Sequence, residues 1–133
     1  MTAESERPGR AVPRAIRWIL GVQIVILGYG GVVHVIQVAT GGWPPYAWAP
    51  GWLAAYFTSL TLLDPLAAGL LWFRRAAGLH LSAFVFVTDA AANAYATYGL
   101  LQASGTAMIA QAAITAIAIG VLVTARHVRP WLR

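Results

Sequence analysis

The chain has 133 residues, of which 59% are hydrophobic and only 10% charged, whereas about a quarter of a soluble domain is charged. That composition excludes an ordinary soluble domain and points to an integral membrane protein. The net charge of +5 comes from arginines that flank apolar stretches, so it marks topology and anionic-lipid contacts and excludes nucleic acid as the expected partner. With no cysteine, disulfides, thiolate metal sites and thiol redox chemistry are excluded as well.

Residues 1–14 hold Glu4, Glu6, Pro8, Gly9, Pro13 and the arginines Arg7, Arg10 and Arg14. They read as a short cytoplasmic tail, not a cleavable signal peptide, because the apolar run that follows is too long for a signal core. That run, about 15–38, is the first of four expected membrane spans. The others are about 51–73, 77–100 and 105–125, each near the ~20 residues that cross the hydrocarbon layer. A basic cytoplasmic tail, 126–133, closes the chain.

The arginines set the expected orientation. Arg7, Arg10, Arg14 and Arg17 mark the start of the first span, Arg74 and Arg75 join the second to the third, and Arg126, Arg129 and Arg133 follow the fourth. The connections 39–50 and 101–104 carry no charge. By the positive-inside rule both termini are cytoplasmic. Short connections then give an all-α, up-down-up-down four-transmembrane-helix bundle in a bacterial plasma membrane.

The connection 41–52 is rich in proline and aromatic residues. Trp43, Tyr46, Trp48 and Trp52 read either as an aromatic belt at the headgroup level or as a lid over a cavity. Tyr56, Phe57, Tyr95 and Tyr98 are expected at the same level, which allows a continuous aromatic wall.

Asp64 and Asp89 lie inside the expected spans, where a carboxylate costs about 2.5–3.5 kcal/mol at the helix centre. Counting from Arg74 and Arg75 at ~1.5 Å per residue, they sit about 15 Å and 21 Å into the membrane. Antiparallel neighbours can therefore bring them to similar depth. Pro65 removes a backbone donor beside Asp64.

Helical spacing extends a polar stripe through the bundle. Ser82, Phe86, Asp89, Asn93 and Thr97 share one face, Phe57, Thr61 and Asp64 a second, and Gln23, Gly30, His34 and Gln37 a third. The fourth span offers Gln111 and Thr115. The same pattern also serves interhelical hydrogen bonding that fixes the bundle, at ~0.6–2 kcal/mol per contact. His34 is a candidate partner for an aspartate, whereas His80 and His127 fall near the arginines. No histidine pair has metal-ligand spacing, so no metal and no cofactor are expected. Ala112, Ala116 and Gly120, extended by Ala110 and Ala118, form a small-residue ridge suited to packing within the bundle or to a homo-oligomer.

A carboxyl in a low-dielectric site favours its proton-bearing form. Paired with an amide and aromatic rings, it suits protonation of an olefin or epoxide in a lipophilic molecule, with ring faces stabilising the carbocation that follows. No phosphate-binding motif accompanies it. The candidate catalytic residues are Asp64, Asp89 and Asn93, and the candidate substrate-binding residues are His34, Trp48, Trp52, Tyr56, Phe57, Thr61, Phe86, Tyr95 and Tyr98.

Leu63-Asp64-Pro65-Leu66, Thr88-Asp89 with Asn93, and the lysine-free, Ala/Arg/Gly-rich composition resemble the membrane-bound terpene cyclases of actinobacteria and fungi that cyclise prenylated indoles such as the drimentine precursors. The resemblance covers the second and third expected spans. It implies an isoprenoid cyclase or isomerase of secondary metabolism, with Asp64 or Asp89 as general acid. The chain also resembles the emopamil-binding and sigma-2 type of membrane protein, which implies sterol isomerisation or hydrophobic-amine binding. A proton-coupled exporter of lipophilic cations is a further reading, although such exporters carry their acid in the first span and this chain does not. An accessory, ligand-binding membrane protein is the last.

Overall fold

The computed structural model describes residues 11–133. Most of the expected N-terminal tail, with Glu4, Glu6, Arg7 and Arg10, lies outside the described residues. The described chain forms four helices: α1 (Arg14–Thr40), α2 (Gly51–Trp72), α3 (Ala76–Ala94) and α4 (Thr106–Val128). A π-wound segment, Tyr95–Leu100, continues α3, and a 3-10 turn, Arg129–Trp131, continues α4. Proline or glycine precedes three of the helices: Pro13 before α1, Pro50 before α2, and Gly105, at φ +62°, before α4. Proline lacks the backbone N–H and cannot continue a helix backwards, and glycine alone adopts positive φ without strain.

The helices pack in sequence order, α1 on α2, α2 on α3 and α3 on α4, while the α1–α4 seam is sparse. Leu27, Leu53, Leu60, Leu71 and Val128 fill the interior and are fully buried. At one end the chain ties itself together: the Ala76 N–H donates to the Arg133 carbonyl at 2.7 Å and the Arg133 N–H to the Arg74 carbonyl at 2.8 Å. Arg74, Arg75 and Arg133 therefore share one end of the bundle. Antiparallel packing of α1 on α2 brings Arg14 and Arg17 there too.

Three helical segments, Arg14–Thr40, Gly51–Trp72 and Thr106–Trp131, are long and apolar enough to cross a membrane. The expectation of four spans is thereby corrected. α3 does not qualify, because its 19 residues carry His80, Ser82, Thr88, Asp89 and Asn93, and its regular winding stops at Ala94. Only 22%, 28% and 17% of the three span windows are buried within the bundle, so most of their apolar surface faces outward. Val25, Leu62 and Ile109, each at least 70% exposed, make an exterior suited to lipid. The protein is a multi-pass helical membrane protein.

At Gly78, where α3 turns back against α2, backbone meets backbone closely. A Cβ added there would stand 2.7 Å from the Leu71 nitrogen and 2.8 Å from the Leu70 carbonyl carbon. Backbone cannot yield as a side chain can. Gly78→Ala is expected to destabilise the protein by about 1–3 kcal/mol through overpacking, read as a lowered unfolding midpoint in detergent.

Candidate functional site

A cavity of about 310 Å³ opens in the half of the bundle away from the arginines, and all four helices line it. α1 supplies Gly30, His34 and Gln37, the following loop Tyr46 and Trp48, and α2 supplies Phe57 and Asp64. α3 adds Phe86, Asp89 and Asn93, the π-wound segment adds Thr97, and α4 closes the wall with Ile114 and Ile117. The expected polar stripes of the first three helices thus converge in part, without Gln23, Thr61 and Ser82, and α4 contributes only hydrocarbon.

Asp64 is buried and has no hydrogen-bonding partner among the described residues. Two neighbours make room for it. A Cβ on Gly30 would come within 2.7 Å of Asp64 Oδ2, and one on Gly31 within 3.2 Å of Pro65 Cδ. Bare backbone at both positions lets α1 close on the Asp64-Pro65 step. A carboxyl without a counter-charge in such a place is cheapest as the neutral acid.

Asp89 differs in its surroundings. Asn93, one turn along α3, donates through Nδ2 to Asp89 Oδ1 at 2.8 Å and to the Asp89 carbonyl at 3.0 Å. That pair fixes the Asp89 side chain and leaves the amide oxygen of Asn93 as an acceptor at the cavity wall.

Across the cavity, His34 Nδ1 lies 3.1 Å from the Tyr46 hydroxyl, which donates to Gln37 Oε1 at 2.9 Å. A phenol has one proton, and here Gln37 takes it. The Tyr46 oxygen must therefore accept from Nδ1–H, and a neutral imidazole then keeps its lone pair at Nε2. Burial, with the Asp89 carboxyl adding to it, holds the Tyr46 phenol above its ordinary pKa, so it stays a donor across the physiological range. The His34 and Phe57 rings stack at 6.1 Å, and Tyr46 and Trp48 pack on Phe57 at 5.3 and 6.3 Å.

Tyr46 adopts φ 55°, a left-handed conformation that a bulky residue avoids. Its hydrogen bonds and its packing on Phe57 hold it there. Tyr46→Phe keeps the ring but removes both bonds. It is expected to lower stability by about 1–2 kcal/mol, measured by denaturant unfolding in detergent.

Of the candidate residues named from sequence, His34, Trp48, Phe57, Asp64, Phe86, Asp89 and Asn93 line the cavity. Five others do not. The Tyr56 hydroxyl shares a hydrogen bond with Thr88 at 2.7 Å, and the Thr61 hydroxyl turns back to the Thr58 carbonyl. Trp52 and Tyr95 pack on each other at 5.6 Å on the exterior, and Tyr98 is half exposed. These rings sit at the expected end but face outward, as in an aromatic belt.

Tyr46, Gln37 and Thr97 belong to the site without having been named as candidates. Gln37 stands one turn from His34 and Thr97 one turn from Asn93, so helical spacing carried that signal. Tyr46 enters because the loop folds back over α1, as the lid reading of that proline-rich, aromatic segment has it, although the pattern did not say which of its rings would turn inward.

Gln111 serves the bundle instead, donating to the Ala90 carbonyl at 2.9 Å. On α4, Ala112, Ala116 and Gly120 share the outward face and Ala118 turns inward, so Ala118 does not extend that ridge. Among the described residues no three histidine or acidic side chains cluster as metal ligands do. No family model, curated protein or solved structure matches the chain.

Proposed function

We propose that the protein binds a lipophilic, unsaturated molecule in this cavity and converts it by acid-initiated isomerisation or cyclisation, as an isoprenoid cyclase of the membrane would. The carrying observation is Asp64: a buried carboxyl with no hydrogen-bonding partner among the described residues, standing in a cavity walled largely by aromatic and aliphatic side chains.

In this reading Asp64 gives its proton to a terminal double bond or epoxide, and the electron pair of a second double bond closes on the resulting cation. The Phe57 and Phe86 faces and the Trp48 ring stabilise the positive charge. The final cation loses a proton to His34 Nε2, the acceptor left free by the Tyr46 relay, and that proton returns to Asp64. Atoms balance without a co-reactant, and the product is an isomer of the substrate. Asp89, held by Asn93, keeps a second carboxyl near the developing charge.

The test is incubation of the purified protein in detergent with farnesylated indoles and their terminal epoxides, followed by mass spectrometry and NMR for isomers of unchanged mass. Conversion independent of any proton gradient is expected. Absence of conversion, together with gradient-dependent accumulation of a lipophilic cation in reconstituted vesicles, would replace this reading with the exporter.

A further inference from the structure

The sparse seam between α1 and α4 holds a second cavity of about 310 Å³, a groove in the arginine-side half of the bundle. Val22 and Gln23 line it from α1, Gly120 and Val121 from α4, and Ile26 and Ile117 line both this groove and the acid cavity. Two isoleucine side chains thus stand between them. The two spaces follow one another along a single seam, and both helices that flank it are candidate membrane spans.

The groove has one polar feature that the fold does not explain. Gln23 is only 3% exposed, its Oε1 accepts from Ser82 Oγ at 3.3 Å, and its Nε2 has no hydrogen-bonding partner among the described residues. Ser82 does not depend on it, because the same hydroxyl also bonds the Leu79 carbonyl. A buried amide donor left unpaired is costly to the fold, and the wall around it is mostly hydrocarbon, the Thr124 hydroxyl being turned back to the Gly120 carbonyl. The missing partner is an acceptor oxygen.

Gln23 also stands two helical turns from Gly30, the residue against which Asp64 packs. Seven residues at 1.5 Å each put the donor about 10 Å from the acid along the seam, on the same face of α1.

We propose that groove and acid cavity take one elongated substrate, whose far end carries a carbonyl oxygen that accepts from Gln23 Nε2 while its double bond lies at Asp64. This rests on the acid-chemistry reading above and narrows it. The substrate is a linear isoprenoid with a carbonyl about 10 Å from the reactive double bond, entering from the bilayer between α1 and α4 past Ile26 and Ile117.

Native mass spectrometry of the full chain in detergent, titrated with geranylacetone or with the matching hydrocarbon that lacks the ketone, tests it. The ketone is expected to bind roughly three- to tenfold tighter than the hydrocarbon. Gln23→Leu should erase that difference and leave the fold intact, since it removes an unpaired donor. Gly120→Leu should weaken both probes, because a Cβ there meets nothing within 4 Å and the side chain fills the groove. Asp64→Asn should keep the ketone preference, so a failure of the acid chemistry leaves this result standing by itself. A preference that survives Gln23→Leu, the lack of binding by either probe, or cross-links between two copies through Val22 and Val121 in the absence of ligand would each overturn the proposal.

Discussion

Replacing Asp64 with asparagine is expected to lower turnover by about 10²- to 10⁴-fold, the usual worth of a positioned general acid, while leaving stability unchanged or raised. The two expectations have one cause. Asp64 makes no hydrogen bond to the described residues, so its carboxyl contributes nothing to folding there that an amide of the same shape cannot. In hydrocarbon the amide is the cheaper group. An amide cannot supply the proton that begins the reaction. Asp89→Asn is the matched control: Asn93 Nδ2 still finds an oxygen to donate to, so the local geometry persists and a smaller loss is expected. Paired measurements of turnover and unfolding midpoint on the two variants check this. Full turnover in Asp64→Asn would remove the acid from the mechanism.

The second large effect belongs to a residue with no side chain. Gly30→Ala places a methyl 2.7 Å from Asp64 Oδ2, so the carboxyl must swing away or the helices must part. Either outcome is expected to cost about 1–3 kcal/mol and to reduce turnover nearly as far as loss of the acid does, although the acid is still present. The double substitution Gly30→Ala with Asp64→Ala removes the colliding atoms. Its stability should lie above that of Gly30→Ala alone by about 1 kcal/mol or more, a coupling of the kind residues in direct contact show. Additive effects would mean that α1 and α2 are not in contact at this point.

Much of this arrangement was legible in the chain. Arginine pairs and Pro-Gly punctuation mark four helices, and the spacing of Asp64 against Phe57, and of Asp89 against Asn93, places both acids on inward faces. Depth counted from Arg74 and Arg75 put them at similar depth, about 6 Å apart. The number of membrane-competent helices was misread because 77–100 was treated as one uniform apolar run, whereas Asp89, Asn93 and His80 dilute it and its winding changes at Tyr95. The aromatic residues were legible only in part, for a different reason. Helical spacing tells which residues share a face but not which faces a neighbour covers, so Trp52, Tyr95 and Tyr98 were named with the cavity although they face outward, while Tyr46 was left between belt and lid because its place depends on a loop folding back.

The change of winding after Ala94 acts as a phase correction. Asp89, Asn93, Thr97 and Leu101 line the cavity at intervals of four residues, yet in a straight α-helix each such step rotates the side chain by about 40°. Three steps would carry Leu101 a third of the way around the axis and out of the wall. From Tyr95 to Leu100 the turns are wider, and the Leu101 N–H closes on the Ala96 carbonyl five residues back at 2.9 Å. Each residue there turns through a smaller angle, so the row runs straight where it would have spiralled. A single loosened turn thus lets one helix present a line of side chains parallel to its own axis, and the cavity wall extends past the end of regular α3 without any additional element.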